Sequence, residues 1–171
     1  MKNRAGFTLI ELLVVITIIG LFIGWSTTNY FRQQERQNLQ NALATVRSHI
    51  DNIRLGSTSL LLPEGVSLSG FQGYGFVLNA ASGTLIRFYL VDNVVNNLNT
   101  LEISKFRNIE FVSPANTSVY FTHSAGELLD LFGQTAELTI VLKNTALDQC
   151  ASLSINELGI ITSDDQVTCP Q

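Results

Sequence analysis

One carboxylate in a stretch of oil-like residues constrains this chain more than any other feature. From Phe7 to Trp25 the sequence reads Phe-Thr-Leu-Ile-Glu-Leu-Leu-Val-Val-Ile-Thr-Ile-Ile-Gly-Leu-Phe-Ile-Gly-Trp, nineteen residues in which Glu11 is the one charge. As a helix this run is about 30 Å long, the thickness of a bilayer core. A secretory signal peptide has a shorter apolar region and a small-residue cleavage site on its far side. No such site follows here, so residues 7–25 are expected to be a retained membrane span. Lys2 and Arg4 before it favour a cytoplasmic N-terminus, although Arg32 and Arg36 beyond it weaken that asymmetry. Trp25 and Tyr30 suit the far interface.

Burying Glu11 near the membrane interior costs about 2.5–3.5 kcal/mol on insertion scales. No Lys, Arg or His lies within the run to offset this. Either the carboxyl reaches for the interface, or it stays in its neutral acid form, or a cation is created for it. Cleavage after Gly6 would create one, the free amine of Phe7. Within one chain that amine lies four residues from Glu11 on the same helix face. Between two staggered chains it meets a neighbour's Glu11, which neutralises two buried charges and sets an axial register.

Gly6-Phe7-Thr8-Leu9-Ile10-Glu11-Leu12, after a basic leader and before an apolar run, resembles the class III signal of type IV prepilins and type II secretion pseudopilins. The resemblance covers about residues 1–25. It implies a leader, residues 1–6, that a prepilin peptidase removes between Gly6 and Phe7 on the cytoplasmic face, with N-methylation of Phe7. It implies assembly through Glu11 and the Phe7 amine of an adjacent subunit. The implied partners are copies of this chain or other pilin-like subunits, the prepilin peptidase, an inner-membrane assembly platform and the lipid bilayer. The implied location is the bacterial inner membrane, single-pass, and afterwards a periplasmic or cell-surface filament. Gly20 sits where many pilins carry a helix-weakening glycine. Thr28 stands where many have proline, which favours a regular helix and a minor pilin or pseudopilin over a major one.

Past the apolar run the chain turns polar, and Leu39, Leu43, Val46, Ile50 and Ile53 then recur at steps of four and three. This is an amphipathic stripe over residues 26–55, suited to packing on the chain's own sheet. Gly56-Ser57-Thr58 reads as the stop. One helix from Phe7 to Leu55 would be roughly 70 Å long.

The remainder, residues 57–171, reads as a β-rich head. Gly75–Asn79 and Thr84–Val91 flank Ala80-Ala81-Ser82-Gly83, a hairpin pattern. Leu101–Val112 holds one or two strands and Ser118–Thr122 another. Glu137–Leu142 and Ala151–Asn156 form a second pair, and Gly159–Thr162 closes the series. Short strands adjacent in sequence favour antiparallel sheets. The expected fold is α+β and pilin-like, a long N-terminal helix packed on an antiparallel head. Ser154-Ile155-Asn156 with Gly159 and Ile160 resembles the GspH/FimT-type pseudopilins and minor pilins.

Cys150 and Cys169 form one bridge if the head is exported, or are two unrelated buried thiols otherwise. His49 and His123 are the two histidines, and a triple of His123 with Ser124 or Asp130 is no more than any chain of this length offers. No zinc-type spacing is present, so neither a metal nor another cofactor is expected, and the chain is not expected to be an enzyme. Asp164 and Asp165 read as a solvated turn rather than a calcium loop. Gly70, Gly73 and Gly75 match no phosphate-binding pattern and read as loop flexibility. Asn116-Thr117-Ser118 matches a glycosylation sequon. Arg32, Arg36, Arg47 and Arg54 are placed to meet neighbouring subunits or headgroups. With a net charge of −4, no nucleic-acid partner is expected. The function these readings favour is a structural subunit of a type IV pilus or type II secretion pseudopilus, a minor component. The other class is a membrane-anchored or filament-tip binding protein, such as an adhesin or DNA-uptake receptor, which would tolerate a change at Glu11.

Overall fold

The computed structural model describes residues 8–170, with the backbone alone described at 24–28 and 166. One helix, α1, runs Leu9–Thr58, 50 residues, a rod of about 75 Å. No proline precedes Pro63, so no backbone donor is missing along it. Leu39, Ala42, Leu43, Val46, Ile50 and Ile53 are all buried, as their spacing on one stripe predicts.

Nine strands follow: β1 (Phe71–Asn79), β2 (Thr84–Val91), β3 (Val94–Glu102), β4 (Ile109–Ser113), β5 (Asn116–Thr122), β6 (Leu128–Asp130), β7 (Leu138–Asn144), β8 (Gln149–Ile155) and β9 (Ile161–Val167). A 3-10 turn, Ile103–Lys105, joins β3 to β4. Every described pairing is antiparallel, in a five-stranded sheet ordered β3-β2-β1-β5-β6 and a four-stranded sheet ordered β4-β7-β8-β9. The helix stripe packs on both. Its apolar residues join Phe76, Leu78, Leu85 and Phe121 of the first sheet and Ile140, Leu142, Leu153 and Ile155 of the second in one core. The architecture is the α+β arrangement expected of a pilin-like chain.

Short polar side chains shape the turns. In the β1–β2 hairpin Asn79 Oδ1 accepts from the Ser82 N–H at 3.1 Å. Between β7 and β8, Asn144 Oδ1 accepts from the N–H groups of Ala146 and Leu147, each at 3.0 Å. Asp92 and Asn93, both at positive φ, form the tight link from β2 to β3, the two-residue geometry that Asp and Asn tolerate.

The structure corrects several expectations. The helix ends at Thr58, the last residue of the expected Gly56-Ser57-Thr58 stop, with Gly56 still helical. The missing Cβ at Gly56 lets side chains of the five-stranded sheet come close: a Cβ there would lie 3.1 Å from the Arg87 guanidinium and 3.4 Å from the Tyr74 ring. Gly73 is not a loop residue but lies inside β1, together with Gly75, which the hairpin pattern already placed in a strand. A side chain at Gly73 would meet the Phe121 carbonyl and the Ser57 hydroxyl, and one at Gly75 the Val119 carbonyl and the Phe88 ring. Asp164 and Asp165 sit in β9, not in a turn. β3 and β6 were not foreseen: the first is Asn-rich and mostly exposed, the second three residues long.

Candidate functional site

The residues singled out for processing and assembly lie at the start of α1. Gly6 and Phe7 fall outside the described residues. Thr8 is the N-cap, in extended conformation, and its Oγ1 accepts from the Glu11 N–H at 3.3 Å. Glu11 is thus the third helical residue and the acidic group of the first turn, where the helix dipole favours negative charge. Thr8-x-x-Glu11 is the sequence signature of a capping box, a signal legible in the sequence that the expectations above did not use.

From Leu9 to Ile23 the helix is exposed on every side. Leu9 is 82% exposed, Val15 46% and Leu21 71%, with no buried face between them. Tyr30 and Phe31 continue this exposure, their rings edge to face at 6.2 Å. Among the described residues no helix has a stretch long and apolar enough to cross a membrane. The expected span, 7–25, includes Phe7, outside the described residues, and Trp25, whose side chain is not described.

The head takes hold of the helix at Glu35. Its Oε1 accepts from Asn108 Nδ2 at 3.1 Å and its Oε2 from Asn144 Nδ2 at 2.9 Å, while its main-chain carbonyl also accepts from Asn144. The Asn144 amide, first of all, holds the Glu35 carboxyl below the usual carboxylate value, with help from Asn108, Arg107 and Asn38 and against partial desolvation. Asn144 is fully buried. It joins helix, β7 and the β7–β8 turn through one amide. Higher up, Arg47 Nη1 donates to Ser163 Oγ of β9 at 3.2 Å, and Arg54 Nη2 to the Leu158 carbonyl at 3.4 Å. These two arginines, expected to face neighbours or lipid, therefore contact the chain's own head. Arg32 and Arg36 remain exposed.

The top of the helix is pinned by Ser57. Its buried hydroxyl donates to the Phe121 carbonyl at 2.5 Å and accepts from the Tyr74 N–H at 2.8 Å, so it bridges β5 and β1. Arg87 lies over the Tyr74 ring at 4.7 Å, a cation–π contact. Half-buried His49 packs nearby, and burial first, then the Arg87 charge, pushes its imidazole below its ordinary value. Neither Glu35 nor Ser57 was singled out from the sequence, because their partners lie far along the chain.

No relay forms around His123. Its Nδ1 lies 3.3 Å from the Gln72 carbonyl, and Asp130 Oδ1 accepts from the N–H groups of Phe132 and Gln134, each at 2.9 Å. Both side chains meet main-chain groups, and Ser124 is exposed. Among the described residues no group of three or more His, Cys, Asp or Glu is placed to hold a metal ion. The two cysteines are bonded to each other, Cα–Cα 5.3 Å, which fastens the C-terminal tail to β8. Beside this bridge, Lys143 and Asp148 pair at 2.6 Å, and a groove of about 590 Å³ opens between the tail and Arg36, Leu39 and Gln40 of α1.

Residues 1–27 match the family model of the prokaryotic N-terminal methylation motif, which is the class III signal of type IV pilins and pseudopilins. No curated protein and no solved structure matches the chain.

Proposed function

We propose that this chain is a structural subunit of a type IV pilus or type II secretion pseudopilus, a minor component rather than the bulk pilin, and not an enzyme. The observation that carries the reading is the first part of α1, apolar all round and exposed from Leu9 to Ile23 beneath a head that has its own closed core. A helix that is apolar on all sides needs cover from lipid or from protein. In the precursor that cover is the inner membrane, spanned by residues 7–25. In the assembled state it is the equivalent helices of neighbouring pilin-like subunits, joined by heterologous contacts that propagate into a helical filament.

Processing supplies the switch between these two states. Prepilin peptidase cuts between Gly6 and Phe7 and methylates the new amine. That amine then immediately precedes the Thr8 cap and lies within a turn of Glu11 on the sequence. Pairing it with Glu11 of the next subunit offsets the cost of holding a carboxylate in oil, and it sets the axial step. The methylation-motif match to residues 1–27 supports processing, and the Thr28 position supports a regular, proline-free rod.

Glu11 also occupies the third position of its own helix, in the Thr8-x-x-Glu11 capping signature, so the test must separate the two roles. Glu11→Gln keeps a side chain suited to the capping box but removes the charge. The expected outcome is normal membrane insertion and normal processing with filament formation lost, scored by sheared-filament fractions and electron microscopy. Normal filaments from Glu11→Gln would refute the pairing. Mass spectrometry of the mature protein should find methylated Phe7 at the N-terminus, and an intact Met1 would contradict processing.

A further inference from the structure

Most cations among the described residues are engaged within the chain. Arg47 lies 3.8 Å from the Asp51 carboxylate, and Arg54 donates to the Leu158 carbonyl. Arg87 lies over the Tyr74 ring. Lys143 pairs with Asp148 at 2.6 Å and Lys105 with Glu102 at 3.4 Å. Arg32, Arg36 and Arg107 are left over. All three are exposed, and among the described residues none has a carboxylate at ion-pair distance.

These three arginines share one level of the molecule, the foot of the head. Arg32 and Arg36 stand one turn apart on one face of α1. Arg107 precedes Asn108, whose amide donates to Glu35 at 3.1 Å, so the loop leading into β4 brings it to the same height. Its charge acts on the Glu35 carboxyl, which is itself taken up by the Asn108 and Asn144 amides. Directly below, Tyr30 and Phe31 are exposed, and aromatic rings of that kind settle at headgroup depth. With Phe7 at the inner boundary of the hydrocarbon, about 30 Å of helix reaches the outer boundary at about residue 27. The headgroup layer adds about 5–7 Å. Tyr30 and Phe31 then stand in that layer and Arg32 at its rim. Arg36 and Arg107 lie within a Debye length of it, about 8 Å.

We propose that Arg32, Arg36 and Arg107 form a collar that binds anionic phospholipid headgroups of the outer leaflet, one arginine of the three coming from the head and two from the rod. The planar guanidinium fork donates to phosphate oxygens, and a long arginine stem lets the charge reach back toward the layer. The chain as a whole carries a net charge of −4, so an anionic surface repels it except where cations are left unspent. They are left unspent on the side that faces the bilayer. The collar rests on the reading of residues 7–25 as a membrane span, and it fixes the height and tilt of the head in the stored subunit.

The test uses the full chain reconstituted in phosphatidylcholine vesicles, with brominated chains carried either by phosphatidylcholine or by added phosphatidylglycerol. Trp25, the one tryptophan of the chain, lies seven residues before Arg32 and reports nearby bromine by quenching. An arginine at an anionic surface favours association by about five-fold, less where screening acts. Phosphatidylglycerol is therefore expected to be preferred roughly ten-fold at 0.1 M salt. Arg32→Gln, Arg36→Gln and Arg107→Gln should each lower that preference by about two-fold, and the triple variant should abolish it, while Arg47→Gln on the head should leave it unchanged. In the parent chain about 1 M salt should abolish it as well, a readout that needs no substitution. Equal quenching by the two lipids overturns the proposal and leaves these arginines to contacts between subunits. A preference that survives the triple variant overturns it too. Quenching by neither lipid would refute the span itself, and the collar with it.

Discussion

The two parts of α1 share a backbone and differ in everything around it. Between Leu39 and Ile53 the apolar residues form one stripe, and that stripe is buried on the two sheets. Between Leu9 and Ile23 apolar residues occupy every side, and all of them are exposed. The first pattern satisfies itself within one chain, whereas the second calls for lipid or other chains. A single unbroken helix thus joins a self-sufficient fold to a surface that is incomplete alone, and the hand-over lies where Glu35 is gripped by Asn108 and Asn144.

The sharpest way to break this contrast is to make the same change in both parts. Ile50 is fully buried and Ile16 is 58% exposed. Ile50→Ala should destabilise the head by about 2–5 kcal/mol through lost burial and a residual cavity. Ile16→Ala should leave head stability within about 0.5 kcal/mol and act on assembly instead. Thermal melts of the detergent-solubilised full chain, set beside filament yield, would show the two effects on separate axes. Equal destabilisation by the two changes would mean that the exposed part folds onto the head after all.

A smaller effect is expected at Ser57. Ser57→Ala leaves the Tyr74 N–H and the Phe121 carbonyl without the hydroxyl that bridges them, at a cost of about 1–3 kcal/mol. The loss should appear as faster hydrogen exchange at the β1–β5 centre, with no change in the exposed half of the helix.

The smallest effect concerns pH at the hand-over point. The carboxyl of Glu35 is lowered from 4.5 by its amide partners. A lowered folded-state value means that its contribution is fully present above the unfolded value and is lost as pH falls through the folded one. The melting temperature should therefore decline on acidification below about pH 4.5, and Glu35→Gln should show a shallower decline together with a lower value at neutral pH. A variant with the same acid slope as the parent would remove Glu35 from the account.

Much of the fold was legible because its signals are local. The Leu39–Ile53 stripe, the Ala80–Gly83 hairpin and the β7–β8 pair each announce themselves within a few residues, through periodicity or turn chemistry. β3 escaped because its polar, Asn-rich sequence carries no alternation, although the Asp92-Asn93 turn before it was readable. The helix ends within the expected Gly56-Ser57-Thr58 stop, but the part that Gly56 plays escaped for a related reason. A glycine near a helix end looks the same whether it terminates the helix or lets a sheet approach, and the Arg87 and Tyr74 side chains that decide the matter lie outside any local window. At the candidate site, Thr8 and Glu11 sit in a capping signature that sequence alone contains, while the Glu35 and Ser57 anchors depend on partners 17 to 109 residues away.

What residue order determines here is chemistry that acts along the chain: a charge stranded in an apolar run, a junction suited to cleavage, a period-3.6 stripe, two cysteines near the end. What the tertiary structure alone decides is which chemistry is used up internally and which is left over. Arg47 and Arg54 contact the head, and Gly73 and Gly75 become points of close strand contact. The reason is that exposure and pairing are properties of neighbours in space, and nine strands folded on a rod bring together residues that no reading along the chain places side by side.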